Sequence, residues 1–522
     1  MSAPREIELK FEVPEYCLSR IGRSALLKGT TATPRKPASL VSVYFDTDKL
    51  KLRTKGLSLR VRRIGAVHVQ TIKQEGGEAG PFLARGEWER EISGTQPDLA
   101  AAQETALESL LSKTLRRGLK PVFRTRVQRT VYPIQSDGSE IELAIDKGSI
   151  EAGRHSEPLC EMELELKRGA TAELFRIARS LAQEIPVQLA VKSKAQRGYA
   201  LLAGEKTAAT KAAPVALRPD MTRKAAFQAL AWSCLHHLVA NRPALQGRDP
   251  EGVHQMRVAL RRLRAAISLF SDILGDSQTN IMKAELKWLT GELAPARELD
   301  VFINRVLKPV AKRKPNEPGL SVLARDTRER RDNAFARALA AIGSKRFRTL
   351  VLDAAAWIEV GEWTQQDDEL LRQACERPIA PAAAEELQRR WKKILKRGNG
   401  LDSLDPIRRH KLRIQSKKLR YASEFFAGVF PGRKVGRRRK RFVSGLEDLQ
   451  DALGDLNDIA VHEGLAERLV NGDDHGSARP QRASEAFAAG RLSGREGARA
   501  GAVLADALHA YEAFAQRKPF WS

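Results

Sequence analysis

The chain reads as an α+β protein, with a strand-rich first half and a helical second half. Three observations predict this. Up to about residue 200 the apolar pattern repeats every second residue, and beyond residue 220 it repeats at helical spacing. Between them lies GEKTAATKAAPVALRPD, residues 204–220, which has no apolar period and reads as a linker. The expected organisation is a first domain over 1–203, a linker over 204–220 and a second domain over 221–516. With 522 residues, 42% hydrophobic and 30% charged, the chain can build sizeable cores and is not globally disordered.

In the first half, IELKFEV alternates Ile7, Leu9, Phe11 and Val13 with Glu8, Lys10 and Glu12. LSLRVRR alternates Leu57, Leu59 and Val61 with Ser58, Arg60 and Arg62. EMELELK alternates Met162, Leu164 and Leu166 with Glu161, Glu163, Glu165 and Lys167. Each reads as a strand, and clusters such as QEGGEAGP and QSDGS read as the turns between strands. Two stretches, 101–117 and 171–184, look helical.

The net charge is +26, which favours polyanionic partners: nucleic acid, anionic lipid or phosphate chains. Residues 1–210 hold 34 Lys and Arg against 26 Asp and Glu; the remainder holds 56 against 38 and so carries most of the excess. Four scattered cysteines (Cys17, Cys160, Cys234, Cys375) without a C-x-x-C disfavour a disulfide framework or a thiolate zinc site. The opening MSAPREIELKFEV has no apolar core of a signal peptide, and no stretch is long and apolar enough to span a membrane. A cytoplasmic protein is the expectation.

The helical half contains a repeat. HQMRVALRRLRAAISLF begins at His254 and HKLRIQSKKLRYASEFF at His410, 156 residues apart without gaps. A second motif follows each copy, ELAPARELDV at 292–301 and ALGDLNDIAV at 452–461, which argues for a duplicated helical unit. On a helix His254, Arg257, Arg261 and Arg264 fall within about an 80° arc, as do His410, Arg413, Lys417 and Arg420. Met256, Leu260, Leu263 and Ile267 take an adjoining, buried face. Pseudo-symmetric packing would join the two stripes into one basic surface suited to a phosphate chain. The histidines are not at metal-ligand spacing. The run GRKVGRRRKR at 432–441 is denser still, but without aromatic interleaving or zinc-finger spacing it is read as an exposed loop or helix end. Segment 470–500 is read as a mobile excursion without assigned function.

In the first half, several strands place like charges at i and i+2, where they repel unless opposite charge sits over them. Carboxylates on some strands and Arg or Lys on others suit a closed barrel with a charged interior. Such an interior would hold a polyanion on its cations and a hard divalent metal, Mg²⁺ or Mn²⁺, on its carboxylates.

These residues reach known families. EIELKFEV resembles the E-x-E-x-K signature of the triphosphate tunnel metalloenzymes, or CYTH family. The resemblance continues in order through YFDT (44–47), LRVR (59–62), TIK (71–73), FRTRVQR (123–129), ELAIDKG (142–148), CEMELELK (160–167) and SKAQRG (193–198). The second half resembles the CHAD family of conserved-histidine helical domains through VHQMRVALRRLR, PARELDV, HKLRIQSKKLRYASEFF and LQDALGDLND. Glu298 stands in PARELDV where that family usually shows Asp.

The resemblance implies an eight-stranded antiparallel tunnel followed by two pseudo-repeated four-helix bundles. It implies metal-side carboxylates at Glu6, Glu8, Glu161, Glu163 and Glu165. Phosphate-binding cations are implied at Lys10, Arg60, Arg62, Lys73, Arg129, Lys194 and Arg197. Glu6, Glu8, Lys10 and Glu163 would carry the catalysis, Glu163 by helping to take a proton. Asp146 matches a recurrent acidic position without a defined role. Arg129 shares a strand face with Thr125 and Val127 while Arg124 and Arg126 point the other way, which leaves open which cations line the tunnel there. The implied activity is metal-dependent hydrolysis of inorganic triphosphate. The polyphosphate-binding surface would lie on His254, Arg257, Arg261, Arg264, His410, Arg413, Lys417 and Arg420, and would localise the protein on polyphosphate granules or feed the tunnel. The same apparatus also serves ATP cyclisation by a class IV-type adenylate cyclase, thiamine triphosphate hydrolysis, or a non-catalytic polyphosphate scaffold; nucleic-acid binding ranks last.

Overall fold

A computed structural model describes residues 5–29, 34–74, 84–313, 320–365, 367–471, 490, 494 and 500–521. Contacts group them into two compact units. The first comprises Met1–Thr210 with Leu235–Gly247 and Gly343–Gln366; the second comprises Lys211–Cys234, Arg248–Ile342 and Asp367–Ser522. Residues 205–218 form neither helix nor strand. Among the described residues, no helix is long and apolar enough to cross a membrane.

The first unit is built on strands β1 (Arg5–Glu12), β2 (Ala38–Asp46), β3 (Leu57–Ile64), β4 (Val67–Gln74), β5 (Ala84–Ile92), β6 (Lys120–Ser136), β7 (Ser139–Ala152), β8 (His155–Arg168) and the two-residue β9 (Gln188–Leu189). The order is β5-β4-β3-β2-β6-β7-β8-β1-β9, and β5 also pairs with β1. Every pairing is antiparallel. The β5–β1 pairing closes strands 1–8 into the expected eight-stranded barrel, with β9 as an addition on β1. Closure removes the free edges an open sheet would carry.

Period-two alternation sorts the side chains. Leu57, Leu59, Val61 and Ile72 face outward into a core with Phe45, Leu52, Ala102, Leu107 and Leu115. Helix α1 (Thr171–Glu184) packs on β8 and buries Leu174, Phe175, Ile177, Ala178 and Leu181. Residues 101–117 do not form the single helix expected. Glu104 takes a left-handed φ of 62°, a 3-10 turn covers Glu108–Leu110, and only Lys113–Gly118 is α-helical, capped by Ser112. Ala102 and Leu107 enter the core from irregular backbone, and Leu115 from that short helix.

Helix α2 (Lys194–Leu202) starts with a capping box between Ser193 and Gln196. Its Ala195 and Tyr199 join Leu40, Tyr44, Phe123 and Val127 in an apolar cluster, and Tyr199 donates to Asp46 at 3.0 Å. Two glycines of the sequence motifs are required by close approach: a Cβ at Gly198 would lie 2.1 Å from the Phe123 ring, and one at Gly148 would lie 1.9 Å from the Arg126 carbonyl.

In the second unit the repeat appears as α3 (Pro250–Leu269) with α4 (Ser277–Phe302), and α6 (Pro406–Phe425) with α7 (Arg433–Asn471), with α5 (Ile379–Gly398) against α6. Both motif helices open with the same Asp-Pro cap, Asp249–Pro250 and Asp405–Pro406, at the same offset before the histidine. Met256, Leu260, Leu263 and Ile267 are buried as expected. Helix α3 packs on α6, where Arg262 donates to Glu424 at 3.1 Å and lies 4.8 Å from the Phe425 ring. Residues 433–441 of the basic run form the first turns of α7, and Gly432 precedes the helix with a φ of 111°. Of segment 470–500, only Val470, Asn471, Gly490, Gly494 and Ala500 are among the described residues.

Candidate active site in the barrel and anion-binding face of the helical unit

The barrel encloses a 590 Å³ cavity lined by seven basic side chains and six carboxylates, with Tyr44, Ser58, Ala144, Ser193 and Ala195. The charges are sorted by strand. Glu142 on β7, Glu163 and Glu165 on β8, Glu8 on β1, and Glu87 and Glu89 on β5 line one contiguous arc of the wall. Lys73 on β4, Arg60 and Arg62 on β3, and Arg129 on β6 line the other. Lys10 and Lys167 sit within the acidic arc, and Lys194 enters from α2.

Register sets the acidic arc in rows. Glu142, Glu165 and Glu8 are side by side across β7, β8 and β1. In the next row Glu163 stands between Ala144 and Lys10. Three carboxylates abreast repel each other, and a cation stands near each: Lys10 lies 3.7 Å from Glu8, Lys167 2.5 Å from Glu165, and Arg35 3.6 Å from Glu142. Glu6 lies on β1 opposite Arg85 of β5, but its side chain is outside the described set.

Glu163 is tied on both oxygens. Its Oε1 lies 3.0 Å from Lys10 and 2.7 Å from Lys194, and its Oε2 accepts from Arg129. Burial alone would raise this carboxyl; Lys10, Lys194 and Arg129 outweigh it and hold the group well below the carboxylate range. Such a group orients cations and is a poor proton acceptor at neutral pH. Glu161 stands apart from the carboxylates of the cavity wall. It is fully buried and absent from the cavity wall, held by Arg197 at 2.8 Å and Lys194 at 2.7 Å. Arg197 likewise does not reach the cavity; it donates to Glu157 at 3.0 Å and to the Pro158 carbonyl at 2.8 Å. Asp146, Glu161 and Glu163 form a buried acidic cluster, and Lys194 contacts all three.

The open point on β6 resolves. Arg129 enters the barrel and donates to Asp146 through Nε at 2.7 Å and Nη2 at 2.6 Å, whereas Arg124 and Arg126 are half-exposed and lie near Glu151. Arg62 differs from its neighbours. It donates to Ser42 at 3.2 Å, and among the described residues no carboxylate lies within ion-pair distance of it. Burial, Arg60 and Arg129 push its guanidinium down to about 10.

Sequence reasoning missed Glu87, Glu89 and Glu142. Their signal was present: G-E-W-E-R-E-I and E-L-A-I-D alternate with the same period as β1 and β8.

In the second unit the two stripes contribute to one electrostatic cluster: burial lowers both Arg413 and Lys417 of α6, and Arg261 of α3 lowers them further. Arg257 Nη1, Arg261 Nε and Arg413 Nε are buried with no hydrogen-bond partner among the described residues. Burial, then Arg413 and Arg261, push Lys417 down to about 7. Burial, then Arg297, push His254 down to about 4. His410 instead meets Asn457 at 2.6 Å. Two predicted members are placed differently. Arg420 pairs with Glu424 at 2.9 Å and Gln450 at 3.0 Å. Arg264 lines a separate groove with Lys283 and Lys287. Arg297, which was not singled out, stands beside His254.

The chain thus has a closed antiparallel barrel with an acid-and-base-sorted interior, followed by a helical repeat that carries a partly buried cationic cluster. The CYTH domain family matches residues 4–199 and the CHAD domain family matches residues 229–467. The chain belongs to both families, carrying a CYTH domain followed by a CHAD domain. A curated relative, the inorganic triphosphatase of Haemophilus influenzae, is 29% identical over 207 residues, which is 38% of this chain and 55% of that protein. The chain thus matches about half the length of that relative. The CHAD domain of the plant Ricinus communis is 30% identical, covering 58% of this chain and 97% of that one, with a TM-score of 0.48. HpAC1 from Hippeastrum, described as revealing a dominant triphosphatase activity, is 19% identical, covering 38% and 96%, with a TM-score of 0.28.

Proposed function

We propose that the barrel hydrolyses a triphosphate, inorganic triphosphate foremost, with a divalent metal, and that the helical unit binds polyphosphate. The observation that carries this is the sorted wall of the 590 Å³ cavity: cations on β3, β4 and β6 face carboxylates on β7, β8, β1 and β5. A triphosphate is a dense polyanion that needs guanidinium and ammonium donors along its length. Carboxylates abreast on neighbouring strands suit a hard cation bound to the same chain.

Glu8, Glu142 and Glu165, with Glu163 in the next row, are the residues that would hold Mg²⁺ or Mn²⁺; their all-oxygen donor set fits either ion. A bound divalent ion supplies Lewis-acid polarisation of phosphate oxygens and acidifies water. The chain's own cations do the rest. Arg62, Arg60, Lys73 and Arg129 bind the phosphate oxygens and spread the charge that develops as the terminal P–O bond breaks. Lys10 and Lys194 hold Glu163 fixed. Water adds to the terminal phosphorus, diphosphate leaves, and phosphate is the second product.

Replacing Glu8 by Gln tests the reading. Metal-dependent phosphate release from inorganic triphosphate is expected to vanish while the fold persists by circular dichroism; wild-type turnover in E8Q would contradict it. For the helical unit, alanine at Arg257, Arg261 and Arg413 is expected to abolish binding of labelled polyphosphate. Binding of DNA in preference to polyphosphate at fixed salt would overturn that half.

A further inference from the structure

On the basic side of the cavity, Lys73 and Arg60 are already occupied. Lys73 Nζ lies 2.5 Å from Glu87 Oε2, and Arg60 Nη2 lies 3.6 Å from Glu87 Oε1. Glu87 therefore spans two strands: its register partner Lys73 on β4 and Arg60 on β3. Its side chain is 13% exposed and lies on the cavity wall. Glu89 is placed differently. It is about half exposed, accepts from Thr71 at 2.8 Å and lies 3.5 Å from Arg60, as near as Glu87 does, but has no ion pair with Lys73 among those described. Burial alone would lower the Arg60 guanidinium, but Tyr44, Glu87 and Glu89 outweigh it and hold it above its ordinary value.

A phosphate chain seeks the same donors that Glu87 holds. A carboxylate fixed on a neighbouring strand competes for them at high effective concentration. Arg62, one alternate position along β3, needs no such displacement. Among the described residues, the basic side thus contains Arg62, which has no carboxylate at ion-pair distance, Lys73 and Arg60, which Glu87 holds, and Arg129, which Asp146 and Glu163 hold.

We propose that Glu87 is an internal counter-anion, which neutralises Lys73 and Arg60 in the empty barrel, yields them to an incoming phosphate chain and retakes them as diphosphate leaves. This rests on the phosphate-binding reading of the barrel. Glu87 is then a positioning residue that limits how tightly product is held, and Arg62 is the entry point. The exchange involves ion pairs only; no covalent bond is made or broken by Glu87.

The test is a calorimetric titration of the full chain with inorganic pyrophosphate in EDTA, comparing wild type with Glu87→Gln. E87Q is expected to bind pyrophosphate at least tenfold more tightly without metal. In turnover with metal, kcat and KM are expected to fall together, because product leaves slowly. E87D, which restores the charge, is expected to return the affinity to within threefold of wild type, and E91Q, at an exposed position of the same strand outside the cavity lining, to change it by less than threefold. E87S offers the same comparison as E87Q, with the same expected tightening, should the amide disturb folding. Unchanged or weaker metal-free binding in E87Q overturns the proposal. A collapse of kcat with unchanged pyrophosphate affinity also overturns it and makes Glu87 a metal ligand. If wild type binds neither pyrophosphate nor triphosphate, the phosphate-binding reading fails and this inference falls with it.

Discussion

Lys194 Nζ lies 2.7 Å from Glu163 Oε1, and the same ammonium also meets Asp146 and Glu161. One buried lysine at the start of α2 thus ties together β7 and β8. Burial would lower its pKa, but the three carboxylates outweigh it and hold the group well above its usual value. In the protein as described, Lys194 binds carboxylates rather than standing open to an anion.

Lys194→Met should therefore act first on stability. It leaves three carboxylates without their shared cation, and breaking a buried pair costs about 3–5 kcal/mol. The melting temperature of the first unit should fall by on the order of 10 °C, with partial recovery in K194R. The sign with pH follows from the shifts. Asp146 and Glu163 are depressed, so their contribution is present above the unfolded carboxylate range and lost as pH falls through their folded values. Lys194 is raised, so its contribution is lost only as pH rises through its folded value, above the ordinary lysine range. The difference between wild type and K194M should be level from about pH 5 to pH 9 and shrink in acid. Equal melting temperatures at neutral pH would contradict this role.

Arg62→Ala should do the reverse. Arg62 is buried among cations with no carboxylate partner among the described residues. Removing it should leave the melting temperature unchanged or raise it, while triphosphate affinity falls at least tenfold, or about 1.4 kcal/mol. A marked loss of stability with unchanged affinity would refute the assignment.

The carboxylate row predicts where metal affinity resides. E142Q and E165Q should each raise the half-saturating Mn²⁺ concentration on the order of tenfold, since ligand charge sets affinity. E161Q should leave that concentration unchanged and lower the melting temperature, because Glu161 lies outside the cavity wall beneath Lys194 and Arg197. Manganese titrations of the four proteins separate these outcomes.

Lys417 gives the helical unit a pH response. Burial, Arg413 and Arg261 lower it to about 7, against a smaller opposing contribution from Asp458. A lowered lysine binds fewer protons folded than unfolded, so stability without ligand should rise between about pH 7 and pH 10. A bound polyanion restores the proton. Polyphosphate affinity should therefore drop as pH rises through 7, with proton uptake on binding near pH 8, and K417M should flatten both curves. A wild-type affinity independent of pH from 6 to 9 would exclude the mechanism.

Much of the barrel was legible because alternation separates wall from core: Glu8 from Leu9, Arg60 from Leu59, Glu163 from Leu164. What alternation cannot give is depth. Glu161, Glu163 and Glu165 share one strand face, yet α2 takes one end of the barrel and pulls Glu161 out of the cavity. Nor can it give closure. Glu87 and Glu89 reach the acidic arc because β5 pairs with β1, nearly 80 residues away in the chain. In the helical unit, Arg257, Arg261, Arg413 and Lys417 of the repeat fall in one electrostatic cluster. The pairing of Arg420 with Glu424 is an i,i+4 contact on one helix and was readable from the spacing; a helical wheel carries no information about neighbouring helices, so the shared groove of Arg264, Lys283 and Lys287 was not.

The central claim is tested most directly by phosphate release from the purified chain with Mg²⁺ or Mn²⁺ and without either. Inorganic triphosphate, ATP, thiamine triphosphate and long-chain polyphosphate would be compared, with cyclic AMP assayed in parallel. The expected result is metal-dependent release that is fastest from inorganic triphosphate, lost in E8Q, and unaffected by alanine at Arg257, Arg261 and Arg413. Cyclic AMP formation from ATP, or no turnover of any substrate beside tight polyphosphate binding, would contradict it.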